Sequence, residues 1–306
     1  MTTWKWAAAA ALSAAVMSGA ATAAAEDAKA AEVLAAARKA IGGKAASLDT
    51  LAVEAALQRN VGSVQMSSDV EILVDLPDKY LRADSPRGGM AGPLTMGFSG
   101  EKVIRPAGSS LGPGGAMMIR IGPGGPAPAT EKLTPDEQAR AEAALRRSAQ
   151  ADISRLMLGW LAAAHPALGA TYTYAGEAES PDGKAHVIDV TAPEGFAARL
   201  FIDQQTQLPL MVTFQAVQPR VVRMEGPRGG RGQGRGAPAD ELRKLEEETA
   251  PPALVENTLF FDDWRDVGGL RFPHSIRRAA GGTTNEEWTV NRVRVNPKID
   301  PRKFDG

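Results

Sequence analysis

The 306-residue sequence contains no cysteine. This absence excludes a disulfide framework and a thiol nucleophile, and it excludes a lipobox, whose acylated residue must be a cysteine. Aromatic residues make up only 5% of the chain, and two of the five tryptophans, Trp4 and Trp6, lie at the extreme N-terminus. Aliphatic side chains and alanine must therefore fill most of the interior.

Catalytic and nucleotide-binding motifs are also missing. The sequence has neither a Gly-x-Ser-x-Gly elbow nor a Gly-x-x-x-x-Gly-Lys-[Ser/Thr] phosphate loop. The three histidines, His165, His186 and His274, are far apart and have no ligand partner at helical spacing. We assign no catalytic residue, no metal ligand and no cofactor, and we expect the protein not to be an enzyme.

Two pairs of adjacent carboxylates, Asp262-Asp263 and Glu286-Glu287, are of the residue type that binds a hard cation. Neighbouring residues of a strand point to opposite faces of the sheet, so neither pair is well placed to share one site. We interpret both pairs as parts of a solvated strand edge.

No apolar run is long enough to span a bilayer, which needs about 20 residues. The shorter run at the N-terminus follows Lys5 and precedes small residues at 21–25, which is the layout of a secretory signal peptide with an Ala-x-Ala cleavage site. We expect residues 1–25 to be removed and the mature chain to be periplasmic or otherwise exported, and soluble. An alanine-rich helix of a cytosolic domain is the alternative.

Charge of either sign is not in excess. The full chain has 35 basic and 36 acidic residues. Removal of residues 1–25 takes away Lys5 and leaves 34 basic and 36 acidic residues. This balance gives no overall attraction to nucleic acid, and we expect no nucleic-acid partner.

The pattern of elements favours a single domain over residues 26–306, interrupted by a flexible Gly/Pro-rich loop at 106–130 and an Arg/Gly-rich loop at 219–239.

The Arg/Gly-rich loop is similar in composition to RNA-binding arginine-glycine segments, but it lacks the aromatic residues that stack on bases. We interpret it as a flexible insertion. Its arginines Arg228, Arg231 and Arg235 are candidates for contact with a polyanion, including acidic lipid headgroups at a membrane surface.

Two long helices are predicted, and Asp240 to Glu248 is a candidate for a short charged helix. Asp27 to Ile41 has apolar residues at helical spacing and ends at Gly42-Gly43, which suits a left-handed C-cap. The second begins at a capping box, Thr134 to Glu137, with Pro135 at the first helical position, and extends toward His165.

Most of the remaining chain alternates apolar and polar residues with the period of a half-buried strand. The predicted strands are separated by short turns and therefore pair antiparallel. They cover residues 69–76, 79–83, 95–104, 171–178, 185–191, 197–203, 208–216, 257–264, 270–278 and 285–295. We predict an α+β fold in which a large curved antiparallel sheet, a half-barrel, wraps around a few helices.

Apolar side chains of the second helix must cover the apolar faces of the later strands. They can simply pack a core, or they can leave a cavity for an acyl chain, as small barrels do. If a cavity exists, the candidate lining residues are Met157, Trp160, Leu161, Leu210, Val212, Phe214, Phe272 and Ile276.

The order of elements resembles the LolA/LolB-like group of exported proteins. The resemblance rests on turn signatures, which are Gly42-Gly43 followed by Leu48-Asp49-Thr50-Leu51, Tyr174 to Glu177, Asp182 to Val190, Gly195 to Asp203, Gly268 to Pro273, and Asn296-Pro297. It implies a curved sheet around helices with an apolar cavity for acyl chains, and it names no catalytic residue.

Two functions remain open at this stage. The first is an exported, non-enzymatic carrier or sensor whose partner is a lipid or an acylated lipoprotein. The second is an interaction module that docks an envelope protein or a polyanion through the Arg/Gly-rich loop. A hydrolase is the least favoured, because no acid, base and nucleophile can be named.

Overall fold

The computed structural model describes residues 19–61, 64–88, 93–105, 110–111, 117–118, 134–181, 183–217 and 254–305. Residues 1–18, most of the Gly/Pro-rich loop, and the whole Arg/Gly-rich loop with Arg228, Arg231 and Arg235 lie outside these ranges. Within them, neither helix combines the length and the apolar character that a bilayer span requires.

The described residues form two α-helices, α1 (Gly19–Ile41) and α2 (Pro135–Leu161). The strands are β1 (Thr50–Val61), β2 (Val64–Asp75), β3 (Lys79–Pro86), β4 (Leu94–Ser99), β5 (Lys102–Ile104), β6 (Ser110–Leu111), β7 (Met117–Met118), β8 (Thr171–Ser180), β9 (Gly183–Ala192), β10 (Phe196–Asp203), β11 (Pro209–Val217), β12 (Leu254–Val267), β13 (Leu270–Ala280) and β14 (Thr283–Val295).

Twelve of these strands form one antiparallel sheet in the order β5-β4-β3-β2-β1-β14-β13-β12-β11-β10-β9-β8. Nearly every strand pairs with its neighbour in sequence, and the exception is the pairing of β1 with β14, which joins the first half of the chain to the last strand. The sheet is not closed, because β5 and β8 do not pair. The predicted α+β class, with a large curved antiparallel sheet around helices, is confirmed.

Both helices lie against the concave face of the sheet. α1 packs mainly on β8, whereas α2 lies across β3 to β5 at one edge and β10 to β12 toward the other. The guanidinium of Arg38 on α1 donates to the carbonyl of Ala162 at the end of α2 at 3.1 and 3.2 Å, which ties the helices together. The concave face is thus filled by helices and by the side chains that meet them.

The main core lies between the helices and this concave face. Alternate residues of the strands point inward, as the period of two predicts, and their side chains are almost inaccessible to solvent. They include Leu51, Val53, Leu57, Ile72, Ile188, Leu200, Val212, Phe261, Phe272, Ile276 and Trp288. Trp160 of α2 packs on Phe272, with ring centres 5.1 Å apart.

The boundaries of α2 follow from its sequence. The backbone N–H of Glu137 donates to the Thr134 hydroxyl at 3.3 Å, and the N–H of Thr134 donates to the Glu137 carboxylate at 2.8 Å, so the predicted capping box is confirmed. The helix ends at Leu161, before Ala162 adopts the left-handed conformation with φ of 50°. It is therefore shorter than the prediction to His165.

α1 ends at Ile41 as expected, but its cap differs in geometry from the prediction. Gly42 has φ of 126° and ψ of 152°, a glycine-only conformation outside the left-handed helical region. A Cβ at Gly42 would collide with the carbonyl oxygen of Gly269 in the β12–β13 turn. Gly43 starts a short 3₁₀ helix, Gly43–Ser47. Glycine at position 42 is thus required both by conformation and by close approach.

A smaller apolar cluster lies on the convex face. Ala52, Leu73, Leu81 and Ile104 of neighbouring strands meet Phe304, which is only 2% exposed and belongs to a 3₁₀ helix, Pro301–Phe304, near the C-terminus. The last residues of the chain therefore cover a patch of the sheet's outer face.

Candidate functional site: an arginine-rich pocket at one end of the sheet

Eight strands have a terminus at one end of the sheet. The strands that end there are β1, β3, β11 and β13, and the strands that begin there are β2, β4, β12 and β14. We call it the open end. The connections 62–63, 89–92 and 218–253, which lie outside the described residues, all join strands at this end. β11 ends at Val217 and β12 begins at Leu254 at this end of the sheet.

Exposed large apolar side chains are concentrated at the open end. Within the described part of the chain they are Met66, Leu94, Met96, Val217 and Leu254, with exposed fractions from 36% to 67%. Leu94 and Met96 line the concave side, and Met66 pairs with Arg59, whose side chain also faces that side. Val217 and Leu254 pair with each other across β11 and β12. The open end thus has an apolar rim.

A pocket of about 380 Å³ lies inside this rim, between α2 and the concave faces of β3 and β4. It is lined by Arg59, Arg82, Asp84, Leu94, Thr95, Met96, Gly97, Val103, Ile104, Arg105, Leu145, Ser148, Ala149, Asp152, Arg155 and Arg278. Five of these residues are arginines and two are aspartates, so the wall carries an excess of positive charge.

Arg82 is the best satisfied of the arginines. The residue is 8% exposed, and its guanidinium donates to both carboxylate oxygens of Asp84, at 2.7 and 2.8 Å. Asp152 lies 3.5 Å from the same guanidinium and accepts from the hydroxyl of Tyr80 at 3.3 Å. Burial acts to lower the pKa of Arg82, but Asp84 and Asp152 raise it overall. Both pocket aspartates are therefore engaged by Arg82.

Glu286 neutralises part of the remaining charge. It accepts from Arg59 Nε at 2.9 Å and from Trp288 Nε1 at 3.4 Å, and it lies 3.9 Å from Arg278. Glu286 is only 8% exposed, in an inner strand of the sheet. The prediction that this residue lies on a solvated strand edge is wrong, because β14 is paired on both sides and its concave face is covered.

Arg155 has no such partner. Its Nε atom is inaccessible to solvent and makes no hydrogen bond, and no ion pair joins this guanidinium to another described residue. Its Cζ lies 4.0 Å from the centre of the Phe214 ring, a cation–π contact. Burial lowers the pKa of Arg155, and the charge of Arg278 lowers it further against an opposing effect of Asp152.

Arg278 approaches the same ring. Its Cζ is 5.7 Å from the centre of Phe214, and its Nε and Nη2 donate to Oδ1 of Asn257 at 3.1 and 3.0 Å. An amide oxygen carries no net charge. Among the described residues, the one carboxylate that forms an ion pair with Arg278 is Glu286, at 3.9 Å, and Glu286 is shared with Arg59. The positive excess of the pocket is therefore centred on Arg155 and Arg278.

Two larger pockets carry weaker chemical features. One of about 690 Å³ lies on the convex face between Glu54, Asp69 and the C-terminal 3₁₀ helix, and mixes charges of both signs in an open trough. The other, of about 670 Å³, adjoins the turn at Glu194 and shares Arg155 with the arginine-rich pocket. We favour the arginine-rich pocket because it lies on the concave face, beside the apolar rim, and brings Arg278 together with Arg155, which forms no ion pair with another described residue.

Seven of the eight residues predicted to line an apolar cavity lie in the main core. They are Met157, Trp160, Leu161, Val212, Phe214, Phe272 and Ile276, with exposed fractions from 0% to 6%. The eighth, Leu210, lies beside a bulge where β10 and β11 shift register, and it is partly exposed. None of the eight lines the three pockets described above. Their role in ligand binding stays a prediction.

The histidines are dispersed, as the sequence indicates. His165 is buried at the end of α2, where its ring lies edge-on to Phe98 at 5.3 Å and its Nδ1 accepts from the N–H of Ala167 at 3.2 Å. His186 and His274 are partly buried on β9 and β13. Among the described residues, no three side chains of metal-ligating type come together.

No protein-family model matches the sequence, and no curated protein matches it. Among solved structures, the chain is similar to a LolA superfamily protein from Nitrosomonas europaea, with 11% identity over 90% of this chain and 96% of that chain and a TM-score of 0.49. It is also similar to a candidate outer membrane lipoprotein-sorting protein domain from Vibrio parahaemolyticus, with 10% identity over 91% and 97% and a TM-score of 0.43.

A third similar structure is a DUF1329 family protein from Desulfovibrio piger, with 12% identity over 90% of this chain and 96% of that chain and a TM-score of 0.41. These likenesses concern the fold.

Proposed function

We propose that this protein is an exported, non-enzymatic binding protein that holds a lipid or an acylated ligand at the open end of its sheet. The observation that supports this function is the apolar rim beside a pocket on the concave face, with Leu94 and Met96 each 36% exposed at its wall. A carrier and a sensor both need such a site.

The rim has a physical explanation if a ligand covers it. Clustered apolar side chains on a protein surface usually belong to a binding site, whereas scattered ones need no explanation. Covering apolar surface contributes about 25 cal/mol per Å², or about 0.8 kcal/mol for each CH₂ group removed from water. An acyl chain lying across Leu94, Met96 and Met66 would therefore be held without any catalytic or polar motif.

One of the residues predicted to line an apolar cavity lies next to the proposed binding site. Phe214 contacts the guanidinium of Arg155, a pocket residue, so it lies directly behind the pocket wall. A chain longer than the pocket would extend from there between α2 and the inner strands, past Met157, Val212 and Ile276. Those side chains are packed against one another, so deep insertion requires α2 to move away from the sheet.

The first experiment is native mass spectrometry of mature protein purified from its own cell envelope without detergent. We expect a discrete added mass that fragments to a lipid. A clean unliganded mass, still clean after incubation with a lipid extract, would contradict a lipid-binding function. The interaction module with Arg228, Arg231 and Arg235 would then become the leading hypothesis, tested by the salt dependence of polyanion binding.

The rim is tested by displacement of a dansyl-labelled fatty acid. The double variant Leu94→Gln/Met96→Gln should weaken binding about tenfold or more, because the loss of two apolar contacts is worth at least one factor of ten. The comparison variant is Val217→Gln/Leu254→Gln, which changes two rim residues that do not line the pocket and so separates the pocket wall from the rest of the rim. Equal effects of the two variants would show that the pocket is not the site.

A further inference from the structure

Arg155 and Arg278 reach one aromatic ring from two elements that are far apart in sequence. Arg155 is on α2 and Arg278 is on β13, and both guanidinium carbons lie within 6 Å of the centre of Phe214, at 4.0 and 5.7 Å. Two cations gathered at one site repel each other, and this repulsion is one cause of the lowered pKa of Arg155. Such an arrangement needs a compensating anion.

The described residues supply only part of that charge. Asp84 and Asp152 both face Arg82. Glu286 lies 3.9 Å from Arg278, but it also accepts from Arg59 and Trp288, so its charge is shared between two arginines. Asp152 is one helical turn before Arg155 but forms no ion pair with it, and the buried Nε of Arg155 has no acceptor. A partly buried cation without a partner costs free energy, which a protein recovers when a ligand brings the missing charge.

We propose that Arg155 and Arg278 form an anion subsite that binds the oxyanion, a phosphate or a carboxylate, of an amphiphilic ligand. This inference rests on the proposed lipid-binding function and specifies the ligand class. The planar guanidinium fork suits two-point hydrogen bonding to such an oxyanion. The contact with the Phe214 ring at 4.0 Å restricts the position of the Arg155 guanidinium before the ligand arrives.

The subsite also fixes the direction in which the ligand lies. The two arginines are partly buried, whereas Leu94 and Met96 are each 36% exposed. A charged group at the arginines therefore places the hydrocarbon part against the apolar rim.

The test uses two short-chain lipids with the same acyl chains, a phosphatidic acid and a phosphatidylcholine, and inorganic phosphate as a third probe, measured by isothermal titration calorimetry. We expect the phosphatidic acid to bind about 10- to 100-fold more tightly than the phosphatidylcholine, the range of one or two charge-assisted hydrogen bonds. Equal affinities for the two lipids would overturn the subsite and leave the lipid-binding function standing.

Inorganic phosphate distinguishes an oxyanion that is carried by a lipid from one that is free in solution. Much weaker binding of inorganic phosphate than of phosphatidic acid supports a lipid-borne anion. Equal affinity would overturn the assignment to an amphiphile. If none of the three probes binds, both the subsite and the proposed function are contradicted.

The variants are Arg155→Met and Arg278→Gln, each of which should remove most of the preference for phosphatidic acid. The control is Arg199→Gln on the convex face, where Arg199 pairs with Asp189. Thermal unfolding separates a binding role from a structural one. Loss of an unpaired cation should leave the melting temperature of unliganded Arg155→Met unchanged or raised, whereas an arginine that only stabilises the fold would lower it. A lowered melting temperature together with unchanged lipid preference would overturn the assignment.

Discussion

His165 illustrates how a single buried residue sets a property of the whole chain. Its side chain is 1% exposed, and burial lowers its pKa from 6.5 to about 4, against smaller opposing effects of Lys79 and Asp78. Between these two values the unfolded chain binds the proton and the folded chain does not. Stability therefore falls as the pH decreases from about 6.5 to about 4, and this group causes no further loss below that range.

We expect this loss to be about 3 kcal/mol in total, at 1.36 kcal/mol for each unit of pKa difference. The measurement is urea unfolding at a series of pH values. His165→Asn should flatten the acid limb, because asparagine keeps an acceptor for the N–H of Ala167 and does not titrate. His274→Asn, at a partly buried histidine of β13, is the matched comparison. An unchanged slope in His165→Asn would assign acid sensitivity to other groups.

Glu286 couples the stability of the sheet to the charge of the pocket. Glu286→Gln removes the counter-charge of Arg59 and Arg278, so we expect the free energy of unfolding to fall by about 1–3 kcal/mol. The same change makes the pocket more positive, and binding of phosphatidic acid should become tighter. Glu287→Gln is the control, since Glu287 is exposed on the opposite face. Weaker binding by Glu286→Gln would argue against a pocket that attracts anions.

At the scale of elements, the position of α2 depends on Gly159. A Cβ on this residue would overlap the ring of Phe261 on β12, so helix and sheet approach as closely as glycine allows. Alanine is favoured over glycine in helices by about 1 kcal/mol, but the collision costs about 1–3 kcal/mol or more in a packed core. We expect Gly159→Ala to destabilise the protein.

Chemical denaturation measures this effect, and Gly43→Ala is the matched control because nothing lies within 4 Å of a Cβ at that position. Adding Phe261→Leu to Gly159→Ala should restore part of the lost stability, since the smaller side chain makes room for the methyl group. A neutral or stabilising Gly159→Ala would mean that α2 shifts freely on the sheet.

The same scale shows what the sequence could predict. Alternation predicts parts of β2 to β5 and of β8 to β14, because apolar residues recur at every second position in most of these strands. β1 was missed, since alanines at 52, 55 and 56 blur the period and favour helix. The alternation of the sequence predicts that Leu210 points inward with Val212 and Phe214. A bulge between β10 and β11 interrupts this alternation in the structure, and Leu210 is partly exposed.

For the whole molecule, the candidate site could not be predicted from the sequence. Arg59, Arg82, Arg155 and Arg278 are scattered over more than two hundred residues and form no motif. They meet because β1 pairs with β14 and because α2 crosses the concave face, and both facts are properties of the assembled sheet. Turn signatures predicted the fold, whereas the pocket depends on the register of long-range pairs.

The same topology predicts how the molecule responds to a ligand. α2 contacts β3 to β5 and β10 to β12, whereas α1 contacts mainly β8. A phosphatidic acid bound in the arginine-rich pocket would hold α2 against β3 and β4. At a hundredfold excess over its dissociation constant, the lipid should stabilise the folded chain by about 2.7 kcal/mol and raise its melting temperature by about 5–10 °C.

Hydrogen exchange should locate this stabilisation. Local opening of α2, rather than global unfolding, exposes its amides if the helix moves to admit an acyl chain. We therefore expect added phosphatidic acid to slow exchange most in α2, β3 and β4, and to leave α1 and β8 nearly unchanged, while phosphatidylcholine has a smaller effect. Slower exchange centred on α1 and β8 would instead place the ligand at the other edge of the sheet, and the arginine-rich pocket would no longer be the site.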